Sequence, residues 1–174
     1  MNNNRVLYVL RHAKSSWDNP ALPDHRRPLS LRGRRDAGLI HEYIGTRQIE
    51  PGVIWCSSSL RTQQTLAILY PDAISHQDWL YSAATEQIIE RLRQLGPEVG
   101  SVMVIGHNPS LQTLVLRLAQ AGPAHLTAIR EKLPTGALAT LAFNGEWPEL
   151  ASGRLTLTDY IRPKLLRPKA DPKP

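Results

Sequence analysis

Short runs of apolar residues predict a series of buried strands. Three runs are continuously apolar, which is typical of strands covered on both faces: residues 6–10, 53–56 and 102–105. Residues 137–143 and 154–160 also have strand character, and the second of these alternates leucine with threonine. Residues 73–81 show a weaker strand pattern.

Apolar residues at helical spacing predict four helices between these strands. In chain order the helices cover about residues 33–46, 60–69, 85–96 and 108–120. The serines before residue 60, Thr85 and Asn108 are residue types that cap helices well, and Pro109 suits the first helical position. Residues 14–31 have no sustained period and predict a long loop, a kind that is often functional. Strands that alternate with helices indicate an α/β fold, a three-layer sandwich with a mostly parallel central sheet and helices on both faces.

The chain of 174 residues fits one domain, which we place at residues 1–161. Residues 162–174 differ in character, with five basic residues, one acidic residue and four prolines. Because proline interrupts regular backbone hydrogen bonding, we expect a solvated, disordered tail without a regular helix or strand. Much of the formal net charge of +6 lies in this tail, so basicity alone does not identify a nucleic-acid partner.

Two further features bear on where the protein works. Cys56 is the only cysteine, so the chain cannot form an internal disulfide. The apolar run at residues 6–10 is too short for a signal-peptide core or a membrane span. We therefore expect a cytoplasmic protein that does not associate with membranes, and we expect it to be a monomer.

Polar side chains follow three of the predicted strands at their carboxyl ends. Arg11 and His12 follow the first strand. Arg61 comes shortly after the second, and His107 and Asn108 follow the third. In an open α/β sheet, ligands bind in the crevice at the carboxyl ends of the strands. We therefore expect two histidines and two arginines to converge there.

A phosphoryl group fits this set of side chains. Arginine presents a rigid fork of donors to phosphate oxygens, and helix N-termini after Ser59 and Asn108 would direct free N–H groups at the same anion. One uncharged histidine can attack phosphorus while the other, charged, donates to an oxygen. His12 and His107 lack a carboxylate or cysteine at the usual ligand spacing for zinc. Because the cationic side chains can stabilise the anion themselves, we expect no metal ion and no other cofactor.

Three segments, in this order, resemble the histidine phosphatase superfamily, which includes the phosphoglycerate mutases. Residues 10–13 (Leu-Arg-His-Ala) resemble its Arg-His-Gly signature, with alanine in place of glycine. Residues 57–65 resemble its second phosphate-binding segment, and residues 106–109 its second-histidine segment. Residues 11–17 and 27–35 look like the SixA-type phosphohistidine phosphatase branch in particular.

The resemblance implies a role for each matching residue. His12 would be the nucleophile that becomes phosphorylated. The rest of the phosphate pocket would be formed by Arg11, Arg61, His107 and backbone N–H groups near Asn108. One edge strand of the sheet would be antiparallel, and residues 154–160 are the candidate. The implied substrate is phosphohistidine in a phosphorylated protein.

A proton donor for the leaving group is harder to place. Larger members of the superfamily use a carboxylic acid to protonate a departing alkoxide. The candidates here are Glu86, in the first turn of a predicted helix, and Asp18 or Asp24 in the long loop. Phosphohistidine relaxes this need, because its imidazole can be protonated before it leaves as a neutral ring. We therefore favour phosphohistidine over a phosphate ester.

Three other functions remain open. A small phosphomonoesterase would act on a sugar, nucleotide or other metabolite phosphate, with a second anionic group held by Arg26, Arg27, Arg32, Arg34 and Arg35. A regulatory module would bind phosphate without catalysis. A nucleic-acid binder would rest on charge alone, because the chain has no basic stripe with interleaved aromatic residues.

Overall fold

The computed structural model describes residues 4–120 and 124–167 of the chain. Five strands form one mixed sheet: β1 (Asn4–Arg11), β2 (Val53–Cys56), β3 (Ser101–Gly106), β4 (Leu138–Asn144) and β5 (Thr156–Ile161). Their order across the sheet is β2-β3-β1-β4-β5. The five segments with the clearest strand pattern are therefore confirmed as strands.

Four of the five strands run in the same direction. β2 and β1 flank β3 in parallel register, β4 is antiparallel to β1, and β5 is antiparallel to β4. The predicted edge strand thus lies at the sheet edge with an antiparallel neighbour, and β4 is the strand that points opposite to the others. The parallel arrangement places the carboxyl ends of β1, β2 and β3 side by side.

The described residues form six helices on the two faces of the sheet: α1 (Leu31–Arg47), α2 (Leu60–Leu69), α3 (Thr85–Arg93), α4 (Ser110–Leu118), α5 (Ala124–Glu131) and α6 (Pro163–Leu166). Leu7 and Val9 of β1 pack in the core formed with α3, α4 and α5, whereas Leu10 packs in the core formed with α1 and α2. The three-layer α/β sandwich is confirmed. Within residues 4–120 and 124–167, no helix is long and apolar enough to cross a bilayer.

Two segments differ from the predicted elements. Residues 73–81 contain a short 3₁₀ turn (Asp78–Leu80) and one isolated bridge, between Gln77 and Ser57, in place of a strand. Helix α5 is an additional element that the predicted set does not include. The predicted weak strand is wrong because only one of its residues finds a pairing partner.

The caps predicted for α3 and α4 are also wrong. Thr85 is the first residue of α3, and its hydroxyl donates to the Ser110 carbonyl at 3.0 Å. Pro109 occupies the cap position of α4, so Asn108 lies outside the helix. The Thr85 hydroxyl therefore joins two helices in place of capping its own.

The predicted tail is partly folded. Pro163 is buried and begins α6, and Leu166 packs against the core beneath α1. Arg167 pairs with the buried Asp36 of α1, with Nη2 and Oδ1 2.7 Å apart. Proline is tolerated in the first turn of a helix, because the N–H that it lacks would have no partner there. The prediction of a segment without regular structure is wrong for residues 163–166, and residues 168–174 lie outside the described residues.

The long loop between β1 and α1 is stabilised by hydrogen bonds between its own residues and with the first turn of α1. The Ser16 N–H donates to the Pro28 carbonyl at 2.8 Å, and the Ser30 N–H donates to the Lys14 carbonyl at 2.9 Å. Ser30 also caps α1, because its hydroxyl accepts from the Gly33 N–H at 3.0 Å. Only glycine at position 33 lets the first turn of α1 lie this close to the Lys14 backbone, because a Cβ there would be 2.0 Å from the Lys14 carbonyl oxygen.

Gly33→Ala is expected to destabilise the protein by about 2 kcal/mol, because the added methyl group must displace the Lys14 backbone. Gly38 lies in the same helix with open space around it, so Gly38→Ala is expected to raise stability by about 0.5–1 kcal/mol through better helix propensity. Urea unfolding of both variants measures the two changes. Equal effects would show that the contact with Lys14 does not constrain α1.

Candidate active site

The carboxyl ends of the three parallel strands open into one cleft of about 350 Å³. β1 brings Arg11 and His12 to the cleft, and the segment after β3 brings His107 and Asn108. Arg61 reaches it from the first turn of α2. Much of the remaining wall comes from the long loop, through Lys14, Ser15, Trp17, Asp24 and Arg27. The two histidines and two arginines expected at one crevice therefore lie together.

His12 is oriented as a nucleophile. The residue is 7% exposed, and its Nδ1 atom lies 2.7 Å from the Ala13 carbonyl oxygen. Because a carbonyl oxygen only accepts, Nδ1 carries the proton and Nε2 keeps its lone pair. The Thr65 hydroxyl fixes Ala13 in turn by accepting from its N–H at 3.1 Å. Burial, reinforced by the nearby positive charges of Arg61 and Arg11, lowers the pKa of His12 to about 3, so the ring is uncharged at neutral pH.

His107 faces His12, with the two ring centroids 5.2 Å apart. Its Nε2 atom lies 2.8 Å from Ser57 Oγ, and its Nδ1 atom lies 3.4 Å from Nη2 of Arg61. Because a guanidinium only donates, Nδ1 is the acceptor and Nε2 carries the proton. Burial and the charge of Arg61 lower the pKa of His107 to about 4. Both rings are therefore uncharged at neutral pH, whereas the sequence-based interpretation assigned a charge to one of them.

The two arginines are anchored by backbone oxygens. Arg11 donates from Nη1 to the Leu133 carbonyl at 2.8 Å. Arg61, which is buried, donates from Nη1 to the Asp24 carbonyl at 2.6 Å and from Nη2 to the Asp24 carboxylate at 2.9 Å. Guanidinium groups held in fixed positions give the cleft a positive potential suited to phosphoryl oxygens.

Asp24 lies between two arginines of the cleft, a position that the sequence does not reveal. Its carboxylate contacts Arg61 and also Arg27, whose Nη1 atom is 3.1 Å away, and it accepts from the Tyr81 hydroxyl at 2.8 Å. Burial alone would raise the pKa of Asp24, but the hydrogen bonds from Tyr81 and Arg61 outweigh it and lower that pKa. Asp24 is therefore ionised at neutral pH and unsuited to donate a proton.

Glu86 and Asp18, the other two acids considered as proton donors, do not line this cleft. Glu86 is in the first turn of α3, where its carboxylate pairs with Arg117 of α4. A hydrogen bond from its own backbone N–H and the contact with Arg117 lower the pKa of Glu86. Asp18 is exposed on the loop, and its backbone N–H donates to the Ser16 hydroxyl at 3.0 Å. Asp18 does not reach the cleft, and Glu86, which lines an adjoining pocket with His107 and Asn108, is ionised and paired with Arg117.

Asn108 supports the cleft through its side-chain amide. Nδ2 donates to the Leu133 carbonyl at 3.0 Å and to Oε1 of Gln112 at 3.1 Å. Arg11 donates to the same carbonyl, so Leu133 links the two sides of the cleft. The contribution of backbone N–H groups near Asn108 to phosphate binding stays a prediction.

The basic cluster of the loop and α1 does not form one patch facing the cleft. Arg27 lines the cleft. Arg32 and Arg35 instead line a separate surface pocket beside α1, together with Asp36. The structure thus separates the arginines that we considered for a second anionic group.

The chemistry of the cleft suits an anion better than a metal ion. Its wall carries four cationic side chains, from Arg11, Lys14, Arg27 and Arg61, and one carboxylate, from Asp24. In the described part of the chain, no three His, Cys, Asp or Glu side chains form a group that could hold a metal ion. Positive charge of this density attracts phosphate and repels cations.

Comparisons with known proteins agree with these features. The family model of the histidine phosphatase superfamily (branch 1) matches residues 7–77, a range that includes His12 and Arg61. The uncharacterized protein MT1313 of Mycobacterium tuberculosis is 33% identical over 159 residues, which make up 89% of this chain and 100% of that protein. The chain belongs to the histidine phosphatase superfamily.

This histidine phosphatase also resembles SixA proteins of known structure. SixA from Nakamurella multipartitia, a candidate phosphohistidine phosphatase, superposes with a TM-score of 0.80 at 27% identity, covering 92% of this chain and 96% of that one. SixA from Agrobacterium tumefaciens superposes with a TM-score of 0.74 at 29% identity, covering 90% and 97%. The chain is therefore a phosphatase of the SixA-type branch.

Proposed function

We propose that His12 is the nucleophile of a metal-independent phosphatase that removes phosphoryl groups from phosphohistidine in proteins. The orientation of His12 carries this proposal, because its Nε2 lone pair is available in a cleft shared with Arg11, Arg61 and His107. An uncharged imidazole held among cationic groups is the form that attacks phosphorus.

In the first step, Nε2 of His12 attacks the phosphorus atom of the substrate. A bond from Nε2 to phosphorus forms as the phosphorus–nitrogen bond of the substrate breaks, and the electron pair stays with the substrate imidazole. A substrate ring that carries a proton on its other nitrogen leaves as neutral imidazole. The phosphorylated His12 ring becomes positive, and the Ala13 carbonyl, 2.7 Å from Nδ1, stabilises that charge.

In the second step, water attacks the phosphoryl group on His12. The phosphorus–Nε2 bond breaks, its electron pair returns to Nε2, and the product is dihydrogen phosphate, which keeps both protons of the water. Arg11 and Arg61 stabilise the phosphoryl oxygens in both steps. A negative phosphoryl group beside His107 favours protonation of Nδ1, which can then donate to a phosphoryl oxygen while Nε2 stays bound to Ser57 Oγ.

Phosphohistidine suits this cleft better than a phosphate ester. An ester needs a proton donor for its alkoxide. Glu86 is paired with Arg117 outside the cleft, and Asp24 is ionised. Phosphohistidine needs no such donor once its ring is protonated. The SixA proteins of Nakamurella multipartitia and Agrobacterium tumefaciens, both candidate phosphohistidine phosphatases, support the same substrate class.

A small phosphomonoesterase is the second candidate, and Lys14 is the residue that favours it. Lys14 is exposed on the cleft wall and can bind a second anionic group of a metabolite. Arg27 also lines the cleft, but its donors are engaged by Ser15, Ser16 and Asp24. Lys14 supports a second anion less well than the predicted cluster of five arginines would.

The two candidates separate on a small panel of substrates. The purified protein, with excess chelator, is incubated with a phosphohistidine peptide, a phosphoserine peptide of the same sequence, and p-nitrophenyl phosphate. We expect chelator-resistant release of phosphate, with kcat/KM at least about 100-fold higher for phosphohistidine than for phosphoserine, because the ester lacks a proton donor.

Either part of the proposal can fail in this assay. Turnover of phosphoserine with none of phosphohistidine would contradict the substrate class. Loss of all activity with chelator, restored by added metal, would contradict the metal-independent mechanism. Turnover of p-nitrophenyl phosphate alone would favour the small phosphomonoesterase.

A further inference from the structure

Trp17 is exposed at the wall of the cleft and is held there by a neighbouring arginine. Its side chain is 66% exposed and lines the same cleft as His12. The guanidinium of Arg27 lies over its ring, with Cζ 3.1 Å from the ring centroid. Arg27 thus covers one face of the indole and leaves the opposite face available.

Arg27 fixes the indole because the guanidinium is itself immobile. The residue is 5% exposed, and Nε and Nη2 donate to the Ser16 carbonyl at 3.0 and 2.9 Å. Nη2 also donates to the Ser15 hydroxyl at 2.9 Å, and Nη1 donates to the Asp24 carboxylate at 3.1 Å. Every guanidinium nitrogen is engaged. The indole therefore presents a flat surface that is ordered before any substrate arrives.

Trp17 is also the one large apolar side chain among the described residues that line the cleft. The other lining side chains are charged, polar or small. The face of the indole offers phosphoryl oxygens neither a hydrogen-bond donor nor positive charge, because its one donor, Nε1–H, lies on the ring edge. The indole surface is therefore suited to the group that carries the phosphoryl, and it favours a flat or apolar leaving group.

We propose that Trp17 is a specificity-determining residue that stacks on the imidazole ring of phosphohistidine, an inference that rests on the proposed function. Aromatic rings attract one another in offset or edge-on arrangements, and an indole face also attracts cations. The substrate ring is positive when it is protonated for departure, so both attractions act together. Trp17 thereby distinguishes phosphohistidine from phosphoryl compounds that have no ring.

The test compares three substrates: free phosphohistidine, a phosphohistidine peptide, and phosphoramidate, which has the phosphorus–nitrogen bond but no ring. In Trp17→Ala, the ratio of kcat/KM for free phosphohistidine to that for phosphoramidate is expected to fall about tenfold, mainly through KM. Trp17→Phe is expected to restore most of the ratio. Ile74→Ala removes a 99% exposed apolar side chain that does not line the cleft, and it should keep the wild-type ratio.

Three outcomes would overturn the ring contact while leaving the proposed function intact. The first is wild-type kcat/KM on all three substrates in Trp17→Ala. The second is equal loss on phosphoramidate, which would mean that Trp17 only supports the cleft. The third is loss on the peptide with free phosphohistidine unaffected, which would assign Trp17 to the flanking polypeptide. Wild-type protein that hydrolyses phosphoramidate but neither phosphohistidine substrate would overturn the proposed substrate class and this inference together.

Discussion

Replacing His12 with alanine is expected to lower kcat by at least about a thousandfold on every substrate that the protein hydrolyses. The remaining imidazole cannot take over, because His107 donates from Nε2 to Ser57 and its Nδ1 atom faces Arg61. KM should change little, since Arg11 and Arg61 still bind the phosphoryl group. Steady-state kinetics measures both constants. Mass spectrometry after an alkaline quench should find phosphorylated His12 in the wild type only.

His76→Ala is the matched control for this variant. The His76 side chain is 56% exposed beside Asp78 and does not line the cleft, so its removal should leave kcat unchanged. Circular dichroism of both variants checks that the fold is retained. Wild-type kcat in a folded His12→Ala variant would mean that the phosphoryl group passes directly to water, and it would remove His12 from the mechanism.

Arg61→Ala is expected to lower kcat/KM by about 100- to 1,000-fold, because it removes a fixed positive charge from the phosphoryl oxygens. The effect is large because the substitution also unmasks a negative charge. Asp24, which accepts from Nη2 of Arg61 at 2.9 Å, would then face the incoming anion with one partner fewer. Steady-state kinetics on the preferred substrate measures the loss.

Arg61→Lys separates charge from geometry. Lysine keeps the positive charge but lacks the fork that lets Arg61 contact Asp24 through two nitrogens, so we expect about a tenfold loss or more. Arg34→Ala removes an exposed arginine of α1 that does not line the cleft, and it should retain full activity. Full activity in Arg61→Lys would show that charge alone is needed at this position.

The apolar pattern is enough to locate the three parallel strands, of which β3 and β1 are central in the sheet and β2 is a partly buried edge strand. The continuous runs at residues 6–10, 53–56 and 102–105 lie within β1, β2 and β3. A continuous apolar run has no polar face for contact with solvent, so it is typical of a strand in a sheet that lies between two layers of helices. The parallel topology that follows then fixes which end of each strand carries the site.

Caps, turns and the chain end are predicted less well, because distant contacts decide them. Thr85 has the chemistry of a cap, yet its hydroxyl is bound by Ser110 in the next helix. Arg167 lies in a basic, proline-rich segment, yet it finds Asp36, 131 positions away in the chain. Neither partner is visible from the residues nearby in sequence.

In the active site as well, residues placed by a strand are predicted well, and contacts between distant residues are not. His12, Arg61 and His107 can be chosen from the sequence because each one closely follows a strand. The ion pair of Asp24 with Arg61 and the packing of Arg27 over the Trp17 ring cannot be predicted from the sequence, because both depend on the path of the long loop. That path is set by long-range bonds such as the one from the Leu29 N–H to Oε1 of Gln64, 2.7 Å long.

The carboxylate of Asp24 bears on how the enzyme releases its product. It is tethered beside Arg61 and Arg27 at hydrogen-bond distance, so its effective concentration at these guanidinium groups exceeds that of a free anion. Inorganic phosphate formed in the cleft must compete with this internal anion for Arg61. We therefore expect Asp24 to weaken inhibition by inorganic phosphate, so that turnover continues while free phosphate accumulates around the enzyme.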